Sequence, residues 1–202
     1  SWTVPNVIST TAKVRVVDLS DTDNWNESGV QNNATQGIFK ITPGLTLVAP
    51  NGNVSPSLTD KLLVGSTYPI QWSKIGTLAT VKLQLSLNGG AYANITGATV
   101  IDAANGQTGC TPIPCWNWTV PNSISQQVKI RVVNEADTTV YDPSDYDFAI
   151  RGGFTWGYPT TAGTVFKSGE TKTLTWTTTG SMANINLEYS TNNGASYAAM
   201  LD

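Results

Sequence analysis

Along most of this chain apolar and polar residues alternate one for one. Val81, Leu83, Leu85 and Leu87 are interleaved with Lys82, Gln84 and Ser86, and Ile185, Leu187 and Tyr189 with Asn186, Glu188 and Ser190. Tyr68, Ile70 and Trp72 alternate likewise, as do Leu174 and Trp176, and Val14 with Val16 and Ile130 with Val132 flank Arg15 and Arg131. A period of two sends successive side chains to opposite faces of a strand, one buried and one wet. It predicts strands near 45–48, 67–73, 80–87, 91–95, 116–120, 128–133 and 146–150. No segment sustains a helical period. Asn88-Gly89-Gly90, Asn105-Gly106 and Asn192-Asn193-Gly194 supply the positive dihedrals of tight hairpins. Pro69 lacks an amide proton for the ladder, so the strand bearing it is predicted at an edge or bulge.

The pattern is also duplicated. Trp2-Thr3-Val4-Pro5-Asn6 returns as Trp118-Thr119-Val120-Pro121-Asn122, Lys13-Val14-Arg15-Val16-Val17 as Lys129-Ile130-Arg131-Val132-Val133, and Phe39-Lys40-Ile41 as Phe148-Ala149-Ile150. Further on, Gly65, Trp72, Gly76, Val81, Leu83, Ser86 and Gly90 return as Gly169, Trp176, Gly180, Ile185, Leu187, Ser190 and Gly194. A period of roughly a hundred residues is one small domain rather than a solenoid turn. Short strands in a unit of that size fit an all-β fold of tandem immunoglobulin-like antiparallel sandwiches. Residues 1–41 then form the C-terminal half of one unit, 42–151 a complete unit and 152–202 the N-terminal half of the next. A half-unit leaves Val14, Val16 and Phe39 facing water, so each is expected to be covered by strands from elsewhere. With no initiator Met, secretion signal or anchor, a piece of a longer polypeptide is favoured. A subunit whose halves are completed by neighbouring chains is the other reading.

Composition narrows the functional classes. A net charge of −3 with only 12% charged residues leaves no basic patch for nucleic acid, and no apolar run is long enough to cross a membrane. Thr, Ser and Asn dominate the polar positions, which leans towards an extracellular surface.

The order of Leu174-Thr175-Trp176, Ile185-Asn186-Leu187, Asn193-Gly194 with Tyr197, Trp118-Thr119-Val120-Pro121, Lys129-Ile130-Arg131-Val132 and Asp142-Pro143-Ser144-Asp145 before Phe148-Ala149-Ile150 resembles the Ser/Thr-rich, KNH-like immunoglobulin-type repeats. These occur in fungal cell-wall proteins and in secreted or surface proteins of bacteria and archaea. The resemblance implies extracellular display, adhesion or wall architecture. In the first copy Ala34-Thr35-Gln36-Gly37 stands where the Ser-Asp pair would be.

Candidate chemistry is sparse. The chain has no His, which removes the usual general base, the Ser-His or Cys-His nucleophile and most zinc sites, and no enzyme is expected. Cys110 and Cys115, the only cysteines, are too few for a four-ligand metal site. They suit a disulfide closing a Pro-stiffened loop, with free thiols the alternative. A bridge implies an oxidising compartment. Two loops are acidic: Asp18, Asp21 and Asp23 in one, Asp142, Asp145 and Asp147 in the other. Hard oxygen ligands at alternate positions suit calcium, the one cofactor the residues suggest. Turn chemistry, with Asp and Asn binding backbone groups, is the preferred reading. Trp116, Trp156 and Tyr158 are candidate sugar-stacking aromatics. Trp2 with Trp118 and Trp72 with Trp176 occupy equivalent strand positions, which argues for packing. N-glycosylation sequons stand at Asn26, Asn33, Asn53, Asn94 and Asn117.

The reading that emerges is a structural or adhesive extracellular surface protein: a stalk, wall component or filament subunit. Its expected partners are neighbouring repeats of the same or identical chains, and cell-wall glycans. The alternative is a carbohydrate-binding accessory region of a secreted glycan-active enzyme.

Overall fold

The structure, a computed structural model, describes residues 1–29, 35–52 and 61–200. Its regular elements are all strands, so the protein is all-β. A head segment carries β1 (Ser9–Ala12), β2 (Arg15–Val17), β3 (Trp25–Glu27) and β4 (Phe39–Ile41). The centre contains β5 (Gly44–Ala49), β6 (Lys61–Leu63), β7 (Thr67–Ile75), β8 (Thr80–Leu87), β9 (Ala93–Asn94), β10 (Ile101–Asp102), β11 (Cys115–Thr119), β12 (Ser125–Asn134), β13 (Tyr141–Pro143) and β14 (Phe148–Arg151). A tail segment carries β15 (Gly153–Tyr158), β16 (Thr175–Thr179), β17 (Glu188–Tyr189) and β18 (Ala198–Ala199).

The centre is a two-sheet sandwich. β10, β8, β12, β14 and β6 follow in that order in the larger sheet, with β13 also on β12 and β9 on β8; β11, β7 and β5 make the smaller sheet. β14 and β6 pair in parallel, an arrangement that no hairpin can produce. Leu47, Ile70, Trp72 and Trp118 from one sheet and Val81, Leu83, Ile130, Val132 and Phe148 from the other form one buried cluster. The Trp72 indole satisfies its buried N–H by donating to the Ala103 carbonyl at 3.0 Å. Asn88 and Asn193 adopt positive φ at the hairpins the sequence marks.

Two expectations need correction. Leu85 and Leu87 are only partly buried against the core, whereas Ser86 is buried and its hydroxyl donates to the Gly90 carbonyl at 2.6 Å. They line a groove between the sheets beside Trp116 and Trp118, where the three-stranded sheet is too narrow to cover them. Pro69 lies on the middle strand, not an edge, facing Asn117. β5 pairs only with residues 71–75 of β7, so at Pro69 the ladder on that side has already ended and no donor is missed.

Strand registers in the centre recur at both ends. In the head, Ser9 faces Ile41 and Ala12 faces Phe39 across an irregularity, as Ser125 faces Ile150 and Val128 faces Phe148. Arg15–Glu27, Val16–Asn26 and Val17–Trp25 copy Arg131–Pro143, Val132–Asp142 and Val133–Tyr141. In the tail, Trp156–Trp176 and Tyr158–Thr175 copy Leu47–Trp72 and Ala49–Gln71, bulge included. Glu188–Ala199 and Tyr189–Ala198 copy Gln84–Asn94 and Leu85–Ala93. Neither end contains the pairing of β8 with β12, which in the centre runs from Val128–Leu87 to Asn134–Val81.

Connections to the centre are repeated too. Asn122 and Ser181 exchange hydrogen bonds of 2.8 Å, Asn122 Nδ2 donating to the Ser181 hydroxyl and the Ser181 amide donating back to Asn122 Oδ1. Gly180 beside them has φ +88, and a Cβ there would press on Val64, Gly152 and Ile124. The equivalent Gly76 has φ +87, and a Cβ there would meet Asn6 Oδ1 and Pro43. Only glycine combines that dihedral with so close an approach.

Ser144, fully buried, ties the sheets together. Its hydroxyl accepts from the Ile130 amide at 3.1 Å and donates to the Pro50 carbonyl at 3.0 Å. Asp142 Oδ2 accepts from the Leu47 amide at 2.8 Å, a second stitch between β13 and β5. The Asp142-Pro143-Ser144 segment thus joins β13 of the larger sheet to β5 of the smaller.

Two stability outcomes follow, both read by denaturant melts in dilute solution. Ile130→Ala, in the closed core, should cost about 2–5 kcal/mol, while Val14→Ala at the equivalent exposed head position should stay within about 0.5 kcal/mol. Ser144→Ala should cost about 1–3 kcal/mol, since it strands a buried amide and a buried carbonyl.

Candidate functional site

The acidic residues of the first loop are engaged as turn caps. The Ser20 amide and hydroxyl donate to Asp18 Oδ1 at 2.8 and 2.6 Å, and the Asp23 amide to Asp21 Oδ1 at 3.2 Å. The Asp18 amide donates to the Asn24 carbonyl, as Asn134 donates to Val140 in the matching central loop. There the Ala136 amide donates to Asn134 Oδ1 at 3.1 Å. An uncharged Asn thus performs the same cap, so backbone satisfaction rather than charge explains the residue. Asp142 binds the Leu47 amide, Asp145 exchanges 2.8 Å bonds with the Asn51 side chain, and Asp147 is half-buried beside them in sequence. Among the described residues no group of three or more His, Cys, Asp or Glu is placed to hold a metal ion.

Cys110 and Cys115 form a disulfide with Cα atoms 5.7 Å apart, both side chains buried. The bridge closes the loop that leads into β11, and the Gln107 amide pins that loop to the Cys115 carbonyl at 2.7 Å. Trp116 follows directly and lines the groove of about 600 Å³ together with Leu85, Ala93, Asn94 and Asn117. Asn94 and Asn117, both sequons, are exposed there, and Asn26 is exposed on β3. The sequons at Asn33 and Asn53 lie outside the described residues. Trp156 and Tyr158 are far along the chain from Trp116 and line no common groove with it; they sit on β15, with Trp156 stacked on Trp176 at 6.3 Å and Tyr158 near Phe166 at 6.1 Å.

The head and tail segments expose apolar residues whose central equivalents are buried. Val132 is fully buried, whereas its head equivalent Val16 is 71% exposed; Trp118 is 4% exposed and Trp2 58%. In the tail Ile185 is 41% exposed where Val81 is fully buried. Phe154, Trp156, Trp176, Met182, Ile185 and Leu187 line an apolar recess of about 550 Å³. Fully burying one such aliphatic side chain contributes about 1.5–3 kcal/mol, so several together form a strong driving force for covering these faces.

A polar cluster lies where β8 pairs with β12 in the centre. Arg131 lies between two rings, its guanidinium carbon 4.3 Å from the Tyr92 centroid and 5.0 Å from that of Tyr141, while its Nε donates to Gln84 Oε1 at 2.7 Å. This clamp draws on β8, β12, the turn before β9, and β13. Burial, partly offset by the Arg131 charge, pushes the Tyr92 hydroxyl above its ordinary pKa. In the head Arg15 lies 5.8 Å over Trp25, the Tyr141 equivalent. The repeated spacing of Arg15 to Trp25 and Arg131 to Tyr141 was the sequence signal for it.

No family model, curated protein or solved structure matches the chain.

The loop carboxylates give a pH outcome. Hydrogen bonds hold three of them below the usual carboxylate range: from the Ser20 hydroxyl and amide to Asp18, from the Asn105 side chain and amide to Asp102, and from the Thr139 hydroxyl and amide to Asp137. A depressed folded pKa contributes stability above the ordinary range, lost as pH falls through the depressed value. Carboxyl NMR titrations of these three residues should therefore show midpoints below that of an unstructured Asp, and the caps should loosen only in stronger acid.

Proposed function

We propose that this chain is an architectural, non-catalytic part of an extracellular surface protein, in which immunoglobulin-like sandwiches in series build a stalk, wall component or filament. The observation that carries this reading is the recurrence of the central strand registers in the head and the tail. A fold repeated with the same Asn and Gly at each connection propagates one geometry from unit to unit, and its product is length. The disulfide, the scarcity of charge and the Ser/Thr/Asn-rich surface support placement in an oxidising space outside the cell. A stalk exposed to solvent and stress also gains from Ser144 and Asp142, which stitch the two sheets by short bonds.

A second reading has one observation in its favour: Trp116 is half-exposed at the rim of an open groove, as a sugar-stacking aromatic would be. Under that reading the chain is a carbohydrate-binding accessory region of a secreted enzyme.

Immunogold labelling of source cells with antibody to this chain separates the architectural reading from an internal role, and glycan-array binding separates it from the carbohydrate-binding one. Continuous labelling along the wall or along surface fibres is the expected result; label confined to the cell interior would remove the architectural reading. Glycan-array binding that disappears on Trp116→Ala would move the assignment to the carbohydrate-binding alternative.

A further inference from the structure

We infer that Asn94 carries an N-linked glycan, and that its first sugar packs against Trp116 in the groove between the two central sheets. This rests on the extracellular placement proposed above and adds to it a modification site with a defined seat.

The groove is built wholly by the central sandwich, from residues between Leu85 and Pro121. Asn94 enters it from β9 of the larger sheet, and Trp116 from β11 at the edge of the smaller. The half-exposed indole lies against the sequon segment: a Cβ on Gly97 would stand 3.6 Å from Trp116 Cζ2. Asn94 and Thr96, the acceptor and hydroxyl residues of the sequon, are both exposed.

The amide of Asn94 is oriented by its neighbours. Arg131 can only donate, and its Nε donates to Gln84 Oε1 at 2.7 Å; Gln84 in turn donates from Nε2 to Asn94 Oδ1 at 2.8 Å. This relay fixes which end of Asn94 is which. Gln84 lies on β8, and β9 pairs with β8 alone among the described strands. The Asn94 oxygen therefore points into the sheet and Nδ2 points out over its edge, where the groove opens. Strand pairing itself requires neither amide: in the tail, Glu188 and Ala199 hold the positions of Gln84 and Asn94 in the same register.

Attachment uses a polyprenyl-diphosphate oligosaccharide and a membrane-bound transferase. Nδ2 attacks the anomeric carbon of the first sugar, a C–N bond forms, the C–O bond to diphosphate breaks and the lipid diphosphate leaves; one Nδ2 proton passes to a base of the transferase. Oδ1 takes no part in the new bond, so the relay from Gln84 is compatible with the product. A pyranose presents a face of C–H groups to an indole while its hydroxyls stay in water, and so covers Trp116 and the partly buried Leu85 and Leu87. It also shields the outer edge of β11 from added strands.

Mass spectrometry of the chain isolated from source cells should find a glycan at Asn94 on most molecules; a bare Asn94 would overturn the inference. Hydroxyl-radical footprinting tests the seat, by comparison with a Thr96→Ala variant made in the same cells, which keeps Asn94 and Gln84 but loses the acceptor signal. Oxidation of Trp116 should rise roughly threefold in the variant, as the ring face meets water, and that of Trp156 should not change. Asn94→Gln, a second form without the acceptor, should behave as Thr96→Ala does, whereas Thr119→Ala, which removes the sequon at Asn117, should leave Trp116 protected. Equal oxidation of Trp116 with and without the Asn94 sequon would overturn the packing, since a sugar from a separate glycan would protect both forms alike; a rise confined to Thr119→Ala would do so too. Labelling along wall or fibres would survive each of these results, so failure of this site is distinguishable from failure of the architectural reading.

Discussion

Pairing of β8 with β12 is the constraint on which the rest of the molecule depends. These two strands carry Val81, Leu83, Ile130 and Val132 to the inner face, where the narrower sheet supplies Trp72, Ile70 and Leu47 to cover them. Among the described residues, the head keeps its local hairpins but has neither this pairing nor a facing sheet to cover it. In the head β2 still pairs with β3 and β1 with β4, yet Val14 and Val16 are exposed. Local hydrogen bonding therefore specifies the strands, and only the long-range pairing hides them from water.

Alternation and turn residues made the central strands legible in the sequence. The seven expected strands are all present within a few residues of their expected ends, because each has either a two-residue period or a flanking Asn-Gly turn. β6, β10 and β13 were not foreseen. Each has only two or three residues, too few to display a period, and β6 depends on a parallel partner distant in sequence. Leu85 and Leu87 were expected in the core since alternation reports which face a residue shares, not how far the opposing sheet extends. The Asp142–Leu47 and Ser144–Pro50 bonds were equally invisible: the Ser-Asp pair could be noticed as a motif, but its partners lie across the sandwich.

Of the candidate site residues, the cysteines were the easiest to read, for a short Pro-rich loop between two cysteines has few alternatives. Aromatic residues were harder, because a Trp on a strand serves core and ligand equally well. Burial separates them: Trp72 and Trp118 are packed, while Trp116 and Trp156 retain exposed rings. The acidic loops show a related ambiguity between charge and hydrogen bonding. It is eased by the substitution the protein itself contains, Asn134 standing where the first loop has Asp18 and making the same cap.

On the serial-repeat proposal, the duplicated connection is what carries one geometry from unit to unit. Gly76 and Gly180 take left-handed dihedrals of +87 and +88 against the same neighbouring positions, Pro43 and Gly152. Asn122 anchors the turn at one connection by two bonds, and Asn6 places its oxygen at the glycine of the other. When one set of residues determines every step, any angle between successive units is applied again at each addition. A larger side chain at either glycine would strain the backbone and push against the neighbouring segment together. Its effect would grow with the number of units, even if each sandwich remained folded. On the serial-repeat proposal, the relation between successive units is set at these two glycines, where the dihedral and the close neighbour together exclude a side chain.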